Sequence, residues 1–134
     1  MESEAKSGVF GYVLDIDHAD MILGIVRKDG IYKGQMSIPG GDLTEEERDT
    51  SETMSNGLIE KIKKQTGIEV SVNDYMGAVR PTEKNDYFVH LYVCHKKSGD
   101  LKCGEGVSKV EWIKTKYMRE AGMSEFFSKM YPDV

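Results

Sequence analysis

The stretch that most constrains the fold is Ser51–Val70, SETMSNGLIEKIKKQTGIEV. Met54, Leu58, Ile62 and Thr66 fall four apart with Ile59 beside them, which draws one apolar stripe along a helix. Such a helix has to lie on an apolar surface elsewhere in the chain. Ser51 reads as its N-cap, Glu52 complements the dipole in the first turn, and Gly67 is a C-terminal stop. The helix follows QMSIPGG, Gln35–Gly41, a strand ending in Pro-Gly-Gly where the backbone must turn sharply. Between the two, DLTEEERDT (Asp42–Thr50) reads as an acidic loop or short irregular turn.

The remainder supplies strands. GVFGYVLDI (Gly8–Ile16) and MILGIVRK (Met21–Lys28) are β-rich runs around the turn-forming DHAD. KDG (Lys28–Gly30) signals a tight turn, followed by a short arm at Ile31–Lys33. After the helix come IEVSV (Ile68–Val72), YMGAVRPT (Tyr75–Thr82) and DYFVHLYVCHK (Asp86–Lys96). The last is nearly continuous in apolar residues, as expected for a strand covered on both faces. VSKVEWI (Val107–Ile113) is a further strand, and a C-terminal helix is expected within Tyr117–Tyr131. No repeat, linker or low-complexity tract interrupts the pattern. The 134 residues therefore read as one α/β domain, with residues 1–7 a flexible lead.

Charge and composition narrow the function. The net charge of -5 argues against broad nucleic-acid binding through a basic surface. The polar start MESEAKSG fits no signal or transit peptide, and MILGIV is strand-sized, far too short to span a bilayer. Cys94 and Cys103 give no disulfide framework, so a reduced, cytoplasmic protein is expected. His90, His95, Cys94 and Cys103 do not form a zinc-ligand pattern. No Ser-His-Asp arrangement, Walker loop or Rossmann fingerprint is present.

The order of elements resembles the Nudix family over about Gly8–Met130. The family box is G-x5-E-x7-R-E-U-x-E-E-x-G-U, with U an aliphatic residue. SIPGG is similar to the strand that leads into it, Gly41 to Glu47 fits G-x5-E, Glu52 to Glu60 fits E-x7-R, and Thr66–Ile68 fits the end. The first part ends at Glu47 and the second begins at Glu52, so the acidic loop is longer than the pattern by five residues. VEWI near the end is similar to the family's Glu-Trp strand before the last helix. The resemblance implies an α/β/α sandwich with a mixed β-sheet. It also implies a site in which several carboxylates hold Mg²⁺ or Mn²⁺ against a pyrophosphate.

Counted back from Gly67, the family's Arg falls on Glu60, the next Glu on Lys61, and the paired glutamates on Lys64 and Gln65. Hard divalent ions require oxygen ligands, and lysine supplies none. The box is thus degenerate at its chemical centre, and loss of metal-dependent hydrolysis is expected. At about 100° per residue Gly57, Lys61 and Lys64 share a face with Glu60 at its edge, away from the core stripe. Lys61 and Lys64 are candidates to neutralise phosphate where the family uses metal. The bland alternative is a solvated lysine face.

Other candidates are weighed in the same way. Glu45, Glu46, Glu47 and Glu52 form an acidic run, solvated or able to collect a cation. A relocated metal set of Glu47, Glu52 and Glu60 is the route to a surviving hydrolase, with Mg²⁺ or Mn²⁺ implied only in that case and Glu105 as a candidate base. Glu111 reads as structural. Arg27 and Arg80, at strand ends, are candidate anion binders or surface ion pairs. Gly40 and Gly41 are candidate backbone contacts for a ligand. Tyr32, Tyr87 and Phe88 are candidates to stack on a base, or core. Three function classes remain: a catalytically impaired Nudix-fold protein binding a nucleotide-like ligand, as sensor, carrier or sequestering agent; an atypical hydrolase of a nucleoside diphosphate linked to another group; and a protein- or RNA-interaction module. The expected partner is a small nucleotide-like ligand, and the resemblance is compatible with a homodimer.

Overall fold

The structure, a computed structural model, describes residues 7–18, 20–29, 33–81 and 87–131. Strand β1 (Ser7–Leu14) forms the spine, pairing in parallel with β6 (Phe88–Ser98) and antiparallel with β4 (Gly40–Asp42). β5 (Glu69–Val79) pairs antiparallel with β6, giving a four-stranded mixed sheet in the order β4-β1-β6-β5. A three-stranded antiparallel sheet is built from β3 (Met36–Ser37), β2 (Met21–Arg27) and β7 (Val107–Lys114), in the order β3-β2-β7. The described helices are α1 (Glu45–Arg48), α2 (Ser51–Thr66) and α3 (Glu125–Met130), with a 3-10 turn at Thr115–Tyr117. None is long and apolar enough to cross a membrane.

The alternation of β1 sorts two cores. Val9 and Val13 point to one face and pack with Leu58 and Ile62 of α2, Tyr92 and Cys94 of β6, and Leu23 of β2. Phe10 and Tyr12 point to the other and pack with Val89 and Leu91 of β6, Ile113 of β7 and Phe127 of α3. The Tyr12 hydroxyl donates to the Phe127 carbonyl at 2.6 Å, tying α3 to the sheet. Both faces of β6 contribute to a core, as its apolar run implies. The result is the expected α/β/α arrangement with a mixed sheet.

Helix α2 lies close on β1 because Gly11 has no side chain. A Cβ there would sit 2.9 Å from Cys94 Sγ and 3.3 Å from the Leu58 and Ile62 side chains. The far end of α2 is closed completely. Gly67, at φ 80°, donates its N–H to the Lys63 carbonyl. The next three carbonyls, of Lys64, Gln65 and Thr66, accept from the backbone N–H groups of Glu105, Gly104 and Lys102 at 3.0, 2.8 and 2.9 Å. The usual orphan carbonyls of a helix C-terminus are all satisfied.

Several local expectations are corrected. The N-cap of α2 is Thr50 rather than Ser51, because Thr50 and Thr53 form a reciprocal capping box. The acidic loop contains helix α1, held by a second capping box between Thr44 and Glu47. Ile68–Val72 and Tyr75–Thr82 do not make two strands. Bulges let β5 run as one from Glu69 to Val79 along β6. The C-terminal helix is confined to Glu125–Met130, after a 3-10 turn and a chain reversal. Ser7, expected in a flexible lead, is buried in β1, where it pairs with Phe88 and its carbonyl accepts from Leu43 N–H at 3.0 Å. Residues 1–6, most of the arm at 31–33, including Tyr32, and residues 82–86 lie outside the described residues.

The contact of α2 with β1 predicts that Leu58→Ala costs about 2–5 kcal/mol, the range for truncating a fully buried leucine. Urea unfolding followed by far-UV circular dichroism measures it. A loss below about 1 kcal/mol would show that α2 does not anchor the fold.

Candidate functional site

Burying Leu58, Ile62 and Thr66 turns the residues one step earlier, Gly57, Lys61 and Gln65, toward the β4 edge of the sheet. There the chain passes through Ile38, Pro39, Gly40 and Gly41. Gly40 has φ 145°, and a Cβ on it would collide with the Val9 backbone, so this turn requires glycine. The Gly40 peptide is gripped by Gln65. Its N–H donates to Gln65 Oε1 at 3.0 Å, and Gln65 Nε2 donates to its carbonyl at 2.8 Å.

Lys61 extends past Gly41 and reaches Glu47. Its Nζ donates to Glu47 Oε1 at 3.0 Å and to Oε2 at 2.9 Å. Oε1 also accepts the Thr44 backbone N–H at 2.9 Å. Gly57 makes the room, since a Cβ at that position would lie 2.8 Å from Glu47 Oε2. The two side chains are 20% and 22% exposed. Partial burial alone raises the Glu47 pKa. The hydrogen bonds from Thr44 N–H and the Lys61 ammonium, with its charge, outweigh that and hold the carboxyl below its ordinary value.

The remaining expected site residues distribute as follows. Arg27 is buried. It donates from Nη2 to the Ile38 carbonyl at 3.0 Å and lies over the Phe10 ring at 5.2 Å, so it braces the turn. Tyr87 donates its hydroxyl to Asp42 Oδ1 at 2.6 Å at the end of β4, a brace of the same kind. Arg80 is exposed beside Phe88, 5.8 Å from its ring centroid, where β5 ends at the opposite edge of the sheet. Lys64 is exposed, and its backbone carbonyl is taken by Glu105 N–H, which places the exposed Glu105 at the C-terminal end of α2. Glu52 and Glu60 are exposed on α2, and Glu45 and Glu46 on α1. Glu111, expected to be structural, is half-buried on β7, with Oε2 3.3 Å from Lys109 Nζ.

The proposed metal set of Glu47, Glu52 and Glu60 does not converge. Among the described residues no three His, Cys, Asp or Glu side chains are placed to hold a metal ion. Glu47 faces an ammonium, and the residues beside Gly40 and Gly41 are a lysine and an amide. This donor set does not fit Mg²⁺ or Mn²⁺, which need several anionic or neutral oxygens around one point. Thr44 and Gln65 were not singled out from sequence as site residues. The T-x-x-E spacing of Thr44–Glu47 is a readable capping-box signal, whereas nothing local announces that Gln65 grips Gly40, 25 residues away.

A separate cleft of about 510 Å³ opens at the N-terminal end of α2, lined among others by Arg48, Thr50, Met54, Tyr75 and Tyr92. It lies toward β5, away from Gly41.

No protein-family model matches the chain, and no curated protein matches it by sequence. Solved structures do match. A Nudix hydrolase from Nitrosomonas europaea superposes with a TM-score of 0.75 at 12% identity, over 96% of this chain and 69% of that one. The fold is the Nudix fold. The Nudix domain of Shewanella oneidensis NrtR, determined in complex with ADP ribose, gives 0.71 at 12% identity, over 97% and 85%. A MutT Nudix hydrolase from Burkholderia pseudomallei gives 0.66 at 18%, over 85% and 86%. On this Nudix scaffold, Lys61 and Gln65 stand on the helix that follows the Pro-Gly-Gly turn, facing that turn.

The ion pair predicts a pH-dependent stability. Lys61→Met should cost about 1–2 kcal/mol at pH 7, because it leaves a partly buried carboxylate without its charged donor. Glu47's folded pKa is depressed, so the pair's contribution is complete above the unfolded glutamate value of about 4.3 and is lost as pH falls through the lower folded value. The gap between wild type and variant should therefore close in acid. Denaturant melts at pH 7, 5 and 3 test this. A gap that is constant with pH would exclude the pair as its source.

Proposed function

We propose that this chain is a Nudix-fold protein that binds a nucleotide or nucleotide-derived molecule through its phosphates and does not cleave it by the metal-dependent route of the family. The observation that carries this reading is Lys61. Its side-chain methylenes pass Gly41, and its ammonium is held by both oxygens of Glu47. By the resemblance, that position belongs to a metal-binding glutamate. A lysine there brings positive charge and three donors, which suit phosphate oxygens. It brings no ligand for a metal and no means of activating water. Gln65 at the neighbouring box position spends both ends of its amide on the Gly40 backbone.

Fold-level likeness supports the ligand class. The NrtR Nudix domain was solved with ADP ribose. A role as sensor, carrier or sequestering agent follows from retention of an intact ligand, and the protein is read as acting in the cytoplasm on small molecules.

The test combines binding with turnover. The protein is incubated with ADP-ribose, NAD, dinucleoside polyphosphates, nucleoside triphosphates and cyclic oligonucleotides, with and without Mn²⁺. Thermal shift reports binding and chromatography the fate of each compound. The expected outcome is a stabilising ligand, recovered intact, whose effect does not require metal. For a ligand at 100 times its Kd the gain is about 2.7 kcal/mol. Metal-dependent cleavage would overturn the reading in favour of an atypical hydrolase. Stabilisation by none of the panel would favour a protein- or RNA-interaction module.

A further inference from the structure

Glu47 is positioned more firmly than the third residue of a four-residue surface helix requires. One carboxylate oxygen closes the capping box on Thr44 N–H, and its own N–H donates to Thr44 Oγ1 at 3.1 Å. Its carbonyl accepts from Thr53 Oγ1 at 3.0 Å, which fastens α1 to the first turn of α2. Gly57 clears the space into which Oε2 fits. All of this aims the two oxygens at a single ammonium. Lys61 is thus already committed to an anion supplied by the protein. A phosphate group presents the same charge sign and the same spread of acceptor oxygens, so it requires the same donors.

We propose that Glu47 is an internal anionic competitor at the ligand site: it holds Lys61 in the ligand-free protein, and Lys61 exchanges that carboxylate for a phosphate of the ligand. The inference rests on the reading of Lys61 as a phosphate-binding residue. Glu47 can release Lys61 without unfolding α1, because its bond to Thr44 N–H is separate. The exchange replaces one charge-assisted contact by another and leaves the affinity below what an unengaged ammonium would give. It favours multiply charged phosphates, which out-compete one carboxylate, over singly charged anions.

Glu47→Gln removes the charge and keeps a side chain able to close a capping box. Wild type, Glu47→Gln, Lys61→Met and the double variant are titrated calorimetrically with ADP-ribose and with inorganic pyrophosphate, without metal. Glu47→Gln is expected to bind roughly two- to fivefold tighter than wild type, the scale of a partly exposed ion pair. Both Lys61 variants should bind more weakly. Tightening for ADP-ribose without any pyrophosphate binding assigns the phosphate to a nucleotide, and tightening for both shows that the phosphate alone is enough. If wild type binds and Glu47→Gln binds no more tightly, the exchange is overturned while the proposed function stands. If neither binds, both fall. A second measurement needs no variant: the Glu47 side-chain carboxyl ¹³C resonance of wild type should move on saturation with ADP-ribose. A bound ligand that leaves it unmoved overturns the exchange.

Discussion

The rotation of α2 about its own axis is the constraint on which the rest depends. Leu58, Ile62 and Thr66 are fully buried, and the missing side chain of Gly11 lets Leu58 and Ile62 onto the sheet. With those three inward, Gly57, Lys61 and Gln65 have one direction left, toward β4. The 102–105 backbone clamps the last carbonyls of the helix and prevents axial slip. A one-residue change of register would carry Lys61 into the core and Gln65 away from Gly40. The buried stripe therefore places the site, although none of its members belongs to the site.

What a lysine does in such a place differs in kind from what a divalent ion does. A metal gathers several oxygens at one point, polarises a phosphoryl oxygen and lowers the pKa of a bound water. An ammonium neutralises one charge and donates hydrogen bonds, and it is tethered to its helix by four methylenes. It suits recognition of a phosphate and leaves the phosphate chemically unchanged. The Lys61–Glu47 pair balances its own charges within the protein.

Much of the scaffold was legible in the sequence. The helix period of Ser51–Thr66, the Pro-Gly-Gly turn and the apolar run of β6 are local signals, and each maps onto an element. The departures of Lys61 and Lys64 from the box pattern were visible by counting from Gly67. The partners were not, because hydrogen bonds across the fold have no local signature. Arg27, Tyr87 and Lys61 all read as available to a ligand. Each also has a partner within the protein, 11, 45 and 14 residues away. The helix inside the acidic loop was missed for a different reason. Four residues carry too little periodicity to declare themselves, and α1 stands on its caps and its tie to Thr53.

These braces bear on how the site can respond to a ligand. Arg27 holds the Ile38 carbonyl, Gln65 holds both polar groups of Gly40, and Tyr87 holds Asp42 two residues on. The turn is fixed along its length, so its backbone enters any complex already ordered, and little conformational entropy remains to be lost there. Adjustment then falls to side chains that can trade one partner for an equivalent one. Arg27 cannot do so without uncovering a buried carbonyl and its place over Phe10. Lys61 can, because it is a fifth exposed and its partner is an anion that water can solvate once released. On the proposed reading, a rigid turn next to one exchangeable ion pair would select for charge and shape at a phosphate, and discrimination of the attached nucleoside or other group would fall to loops farther from α2.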